Sequence, residues 1–255
     1  MWGLKAWRRR FTSGRAAVDE ELWEKVVSRF AFLRALTPGE KRRLHHLTQR
    51  FLGTKQISGA AGLQLTDEMR TVIAAQACLL ILNLSLDYYQ GWVEVIVYPG
   101  DFMPQREYTD EDGVVHVERE PMQGEAWLQG PVILSWEAAA DLENNLGVNV
   151  VIHEFAHKLD MLNGEPNGFP PLHDDMSREA WLQDFTSAYQ DFCVRVDRGE
   201  DTAIDPYAAE NPGEFFAVLS EVFFETPQVL NRAYPEVYRQ LSLFYRQDPA
   251  MGVMH

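Results

Sequence analysis

The segment Val150-Val151-Ile152-His153-Glu154-Phe155-Ala156-His157-Lys158-Leu159-Asp160 constrains this chain more than any other. It contains no Gly or Pro and is rich in helix formers and apolar residues, so it reads as a single helix. His153 and His157 are then i and i+4, and their imidazoles leave one face a turn apart. That spacing lets two neutral ring nitrogens meet one Zn²⁺ at about 2.0–2.1 Å each. Glu154 lies on a neighbouring stripe, where it can take a proton from water at the metal without replacing it. Random placement of 7 His and 22 Glu over 255 positions yields His-Glu-x-x-His only about 0.02 times. A purely structural helix has no use for a carboxylate buried beside two imidazoles.

Zinc at a catalytic centre needs a third protein ligand and leaves one position open. The extended metzincin pattern requires Gly and His three and six residues after His157. Those positions hold Asp160 and Asn163, which excludes that class. Asp160 follows His157 too closely to reach the metal easily and is better placed to support a ligand imidazole. A second apolar helix, Pro212 to Val222, carries Glu214 and Glu221 seven residues apart on one stripe. Either acid can complete the site by this pattern. Glu214 has a competing role, since Asn211-Pro212-Gly213-Glu214 also has the form of a helix start with Glu214 closing a capping box.

Composition frames this chemistry. With 46% apolar and 24% charged residues the chain is an ordinary globular protein. Its 23 basic and 38 acidic side chains give a net charge of −15, which excludes a broad basic face for nucleic acid. Residues 1–15 hold five basic residues and no acid, and read as a solvated N-terminal tail. Cys78 and Cys193 are too few for a disulfide scaffold and form no Cys-x-x-Cys pair. The longest apolar run, Thr71 to Leu86, has 16 residues, fewer than the roughly 20 that span a bilayer. It reads as a buried core helix in a cytoplasmic protein without a membrane span.

The pattern along the chain is α+β. Helices are expected over Glu20 to Leu36, from the Thr37-Pro38-Gly39-Glu40 capping box onward, and from near Thr66 through the apolar run. Strands are expected at Val93 to Tyr98, Val114 to Val117 and Val132 to Trp136, with helices returning after Trp136. One domain over residues 16–255 follows, with a mainly helical part at 16–90 and the catalytic core at 91–255. The acid-rich stretch from Glu107 to Glu125 reads as a solvated loop. Near the cleft its carboxylates would attract a peptide's free amine.

His153-Glu154-Phe155-Ala156-His157-Lys158-Leu159-Asp160, Asp205-Pro206-Tyr207-Ala208-Ala209 and Glu214-Phe215-Phe216-Ala217-Val218-Leu219-Ser220-Glu221 together resemble the bacterial Mlc titration factor A family of zinc peptidases. Ile96-Val97-Tyr98-Pro99 and Gln129-Gly130-Pro131-Val132-Ile133-Leu134-Ser135-Trp136 are similar to the same family, so the resemblance spans roughly residues 20 to 250. The His-Glu-Phe-x-His and Glu-Phe-Phe-Ala pieces are also similar to the catalytic domain of anthrax lethal factor. The resemblance implies a zincin-like fold, with Glu214 as third ligand beside His153 and His157. Glu154 would be the general base, Tyr207 a hydroxyl for the oxyanion, and Glu221 would fall back to a supporting role. It implies one Zn²⁺, a peptide substrate, aminopeptidase-like activity and, as the alternative role, sequestration of the transcriptional repressor Mlc. An extended substrate is expected along a sheet edge, with Val132 to Trp136 as that edge.

Overall fold

The structure, a computed structural model, describes residues 18–102, 106–109, 115–118, 122–140 and 147–251, with 106–109 and 115–118 described by their backbone. The basic segment 1–15 lies outside these residues. The helix expected over Glu20 to Leu36 is divided. Helices α1 (Glu20–Arg29) and α2 (Ala31–Arg34) are separated by Phe30, which takes an extended backbone and is buried. Core burial of one aromatic side chain here outweighs helical propensity.

Helix α3 (Pro38–Thr54) starts as its sequence requires. Thr37 accepts from the Glu40 N–H, and the Glu40 carboxylate returns to the Thr37 N–H at 2.9 Å. Helix α4 (Asp67–Leu80) is capped by Thr66 and buried at every position from Thr71 to Leu80. It ends earlier than the apolar run does, because the chain turns at Ile81 and Leu82 while both side chains stay in the core.

The sheet has the order β1 (Gln56–Gly59), β2 (Glu94–Tyr98), β6 (Val132–Ser135), β5 (Gly124–Ala126). The first three strands are parallel and β5 runs antiparallel to β6, which makes the sheet mixed. Val95 and Val97 of β2, with Val132 and Leu134 of β6, are buried on the sheet's helix-covered side. The expectation that Val132 to Trp136 forms an edge is corrected here. Val132–Ser135 is flanked on both sides, its backbone groups are already paired, and Trp136 opens helix α5 (Trp136–Ala140). The edges belong to β1 and β5. A separate antiparallel pair, β3 (Arg106–Thr109) and β4 (Val115–Glu118), occupies much of the stretch expected to be an acidic loop. Asp110, Glu111, Asp112, Arg119 and Glu120 of that stretch lie outside the described residues.

Helices α6 (Val150–Asp160), α7 (Arg178–Asp197), α8 (Pro212–Glu225), α9 (Pro227–Ala233) and α10 (Pro235–Tyr245) complete the α+β arrangement. Helix α6 packs against α4, α8 and β5. One apolar cluster runs from Val18 to Tyr245 and joins the early helices to the late ones. No helix among the described residues is long and apolar enough to cross a membrane.

Candidate metal centre

Helix α6 begins at Asn149, whose side-chain oxygen accepts from the Ile152 N–H at 3.0 Å. From that start two faces follow by helical periodicity. His153 and His157 face α8, and Glu154 and Lys158, again four apart, face β5. Helix α8 begins at Asn211, whose Oδ1 accepts from the N–H groups of Gly213 at 2.9 Å and Glu214 at 3.0 Å. Asn211 alone thus caps the helix, and the Glu214 carboxylate turns to the imidazoles of α6.

Three ligand atoms converge. The Nε2 atoms of His153 and His157 lie 3.1 Å apart, and Glu214 Oε2 is 3.0 Å from the first and 3.2 Å from the second. On the other side of the His153 ring, Glu221 Oε1 is 2.7 Å from Nδ1. A carboxylate at that distance holds a proton on Nδ1, so Nε2 is the ring nitrogen left to a metal. A proton or a metal ion between these ligand atoms relieves their repulsion, and the three residues form a group that could hold a metal. Tetrahedral ligands with bonds of about 2.0–2.1 Å stand about 3.3 Å apart, so the three separations fit a metal ion. His157 Nδ1 and Asp160 Oδ1 are both buried without a hydrogen-bond partner among the described residues, while Asp160 Oδ2 accepts from the Gly168 N–H at 2.7 Å.

The electrostatics have the same sense. Burial by itself depresses the His153 pKa, but the Glu221 carboxylate and the bond to Glu214 outweigh it and raise it well above the ordinary value. Burial acts to raise Glu214, and the hydrogen bonds from both imidazoles instead hold it well below the usual carboxylate range. Glu154 touches neither imidazole in this way and is 5% exposed; burial pushes its carboxyl up to about 8. Two carboxyls in one site are thus driven in opposite directions, one held as an anion and one made basic.

Strand β5 lies directly against Glu154. An added Cβ on Gly124 would stand 2.4 Å from Glu154 Oε1, 2.6 Å from its Cγ and 2.7 Å from Val150 Cγ2. Lys158, one turn on, donates to the carbonyls of Trp127 at 2.6 Å and Gly130 at 3.3 Å. It ties the β5–β6 turn to the histidine helix. Tyr207 lies in the 3₁₀ turn Pro206–Ala209, which Asp205 caps, and is 51% exposed with its ring 6.1 Å from that of His153. The structure therefore brings His153, Glu154, His157, Tyr207, Glu214 and Glu221 together, with Asp160 at the foot of α6. The residues that sequence reasoning missed are Gly124, Asn149 and Glu225. Glu225, eleven residues after Glu214 and on the same helical stripe, and Asn149, in the N-cap position before the apolar helix, carried a readable signal.

A family model described as glucose-regulated metallo-peptidase M90 matches residues 4–246. The chain belongs to the M90 metallopeptidase family. Among its M90 relatives, Mlc titration factor A of Klebsiella pneumoniae is 38% identical over 249 residues, 97% of this chain and 92% of the relative. Proteins of the same name from Pectobacterium atrosepticum and Salmonella arizonae are 40% and 39% identical, covering 90% of this chain in each case and 87% and 92% of their own lengths. Membership in the M90 family implies a metal ion. His153, His157 and Glu214 are the group among the described residues able to hold one.

Proposed function

We propose that this chain is a zinc-dependent peptidase with a zincin-like active site, in which His153, His157 and Glu214 hold the metal. The observation that carries the reading is the convergence of those three ligand atoms beside a buried carboxyl, Glu154, that belongs to neither the triangle nor an ion pair with Lys or Arg among the described residues. A bound zinc ion supplies Lewis acidity to a water molecule and to the substrate carbonyl. Glu154 takes the proton from that water as its oxygen bonds to the carbonyl carbon. As the C–N bond breaks, Glu154 returns the proton to the departing amine. A carboxyl shifted upward by burial suits both halves of that transfer. Tyr207, its ring 6.1 Å from that of His153, donates its phenol to the negative oxygen of the tetrahedral species. Glu221 fixes the His153 tautomer, and Asp160 acts on His157 through its charge and not through a hydrogen bond.

An extended peptide adds to the free edge of β5. Gln123 O and Trp127 N bond inward to Ser135 N and Pro131 O, so the alternating N–H and C=O groups of Gly124 and Ala126 face outward. Because Gly124 also abuts Glu154, substrate and base meet at one residue. Gly124→Ala is therefore expected to displace the Glu154 carboxylate and lower kcat about 10²-fold with metal content unchanged. Unaltered kcat would remove this role.

Family resemblance favours aminopeptidase-like action, and the charge of Glu125 acts on Glu154. The test is hydrolysis of one peptide in free and N-acetylated form by the zinc-loaded chain, with products identified by mass spectrometry. Preference for the free amine supports the reading; equal cleavage makes the enzyme an endopeptidase, and no cleavage of any peptide overturns it. Tyr207→Phe should lower kcat about 10²-fold in the same assay at constant metal content.

The relatives' name favours a second role, binding of the repressor Mlc in a bacterial cytoplasm. It requires no turnover, so Glu154→Gln should leave such binding intact.

A further inference from the structure

Helix α8 carries a third carboxylate that the proposed chemistry does not use. Glu214, Glu221 and Glu225 are spaced by seven and four residues and share the face that packs on α6. Each engages a different level of α6. Glu214 meets the Nε2 atoms. Glu221 accepts from His153 Nδ1 with one oxygen and from the Asn149 N–H with the other. Glu225 reaches the residues just before the helix, where Oε2 accepts from the Gly147 N–H at 2.9 Å and Oε1 from Asn149 Nδ2 at 2.8 Å.

Asn149 has no polar atom to spare. Its second amide hydrogen goes to Gln76 Oε1 at 2.7 Å, its Oδ1 caps α6, and its carbonyl accepts from the His153 N–H at 2.9 Å. Gly147 reaches this arrangement at a φ of 95°, a region open to glycine. Two donors thus point at Glu225, each at a different oxygen, so an amide held in the same place would set its own N–H against one of them. Burial pushes the Glu225 carboxyl up to about 7, an unfavourable placement that simple space-filling does not explain.

We propose that Glu225 is a positioning residue for the metal centre: through Asn149 and Gly147 it sets the start and rotation of α6, and so the seating of His153 and His157 against Glu214. The inference rests on the metal-site reading above. A shift at Asn149 moves both the first turn of the helix and the N–H that orients Glu221, so it is transmitted to His153 by two routes.

The test compares wild type, Glu225→Gln, Asn149→Asp and the double variant by Zn²⁺ affinity against a chelating dye and by the visible spectrum of the Co²⁺ form. Glu225→Gln keeps the shape of the side chain but turns an amide donor toward a donor. It is expected to weaken Zn²⁺ binding about 10-fold and to shift the Co²⁺ bands, the size seen when groups behind a ligand are changed. Asn149→Asp alone sets two carboxylates together and should do at least as much. In the double variant the Gln donates to the Asp, and the Gln76 amide turns to donate to it as well, at the expense of its long 3.4 Å bond to the Ala139 carbonyl. Asp remains a good cap, and affinity and spectrum should return close to wild type. Wild-type affinity and spectrum in Glu225→Gln, or a double variant no better than the worse single one, would overturn the role of Glu225. A wild-type chain that binds no Zn²⁺ would instead overturn the site reading on which it rests.

Discussion

Replacing Glu154 by Gln is expected to lower peptide turnover at least about 10³-fold while the chain keeps its metal, because a positioned general base contributes roughly 10²–10⁴. The geometry separates the two effects. Glu154 faces β5 and Gly124, whereas the ligand atoms of His153, His157 and Glu214 lie 3.0–3.2 Å from one another on the α8 side of the helix. The Gln side chain occupies the same volume against Gly124 and has no charge to desolvate. The variant should therefore melt no lower than wild type, since the buried carboxylate is itself an unfavourable group. Kinetics on a peptide, metal analysis and thermal unfolding on one preparation check all three points. Full activity would sink the mechanism, and loss of metal would move Glu154 into the ligand set.

The second large effect concerns α8. Glu214→Ala removes one of three ligands, and the variant should come through dialysis essentially without zinc. It should also lose the zinc-dependent rise in melting temperature, which for wild type at 1,000 times its Kd corresponds to about 4 kcal/mol. Glu221→Ala should keep zinc with affinity about 10- to 100-fold lower, because one carboxylate oxygen lies 2.7 Å from His153 Nδ1, the other accepts from the Asn149 N–H, and neither bonds an Nε2 atom. Mass spectrometry of the native proteins decides. Zinc lost only from Glu221→Ala would reverse the assignment.

These two acids also show where sequence reasoning reached its end. Both lie on one stripe of an apolar helix, and spacing alone left either able to complete the site. The capping alternative for Glu214 was a real one, and the structure answers it locally: Asn211 caps both Gly213 and Glu214, which leaves the carboxylate available to the imidazoles. The edge strand shows a different limit. Gly124–Ala126 is three residues long with no β-branched side chain, so it carries no period to read, while Val132–Ser135 has the stronger strand pattern and is interior to the sheet. Strand propensity reports fit to a pleated, half-buried surface and says nothing of which neighbour a strand acquires.

What the sequence determined by itself is whatever a single helix enforces. His153 and His157 share a face, Glu154 stands on the next stripe, and Thr37, Thr66 and Asn211 begin helices where short-range hydrogen bonds allow them to. Tertiary structure alone decided which face of α8 meets that helix. It brought Glu214 to the ring nitrogens, set Glu221 and Glu225 behind them, and placed Gly124 against Glu154. The physical reason is that helical periodicity fixes directions within an element over a few residues. Contacts between positions about 30 to 80 residues apart depend on the packing of a whole core, which no local pattern encodes.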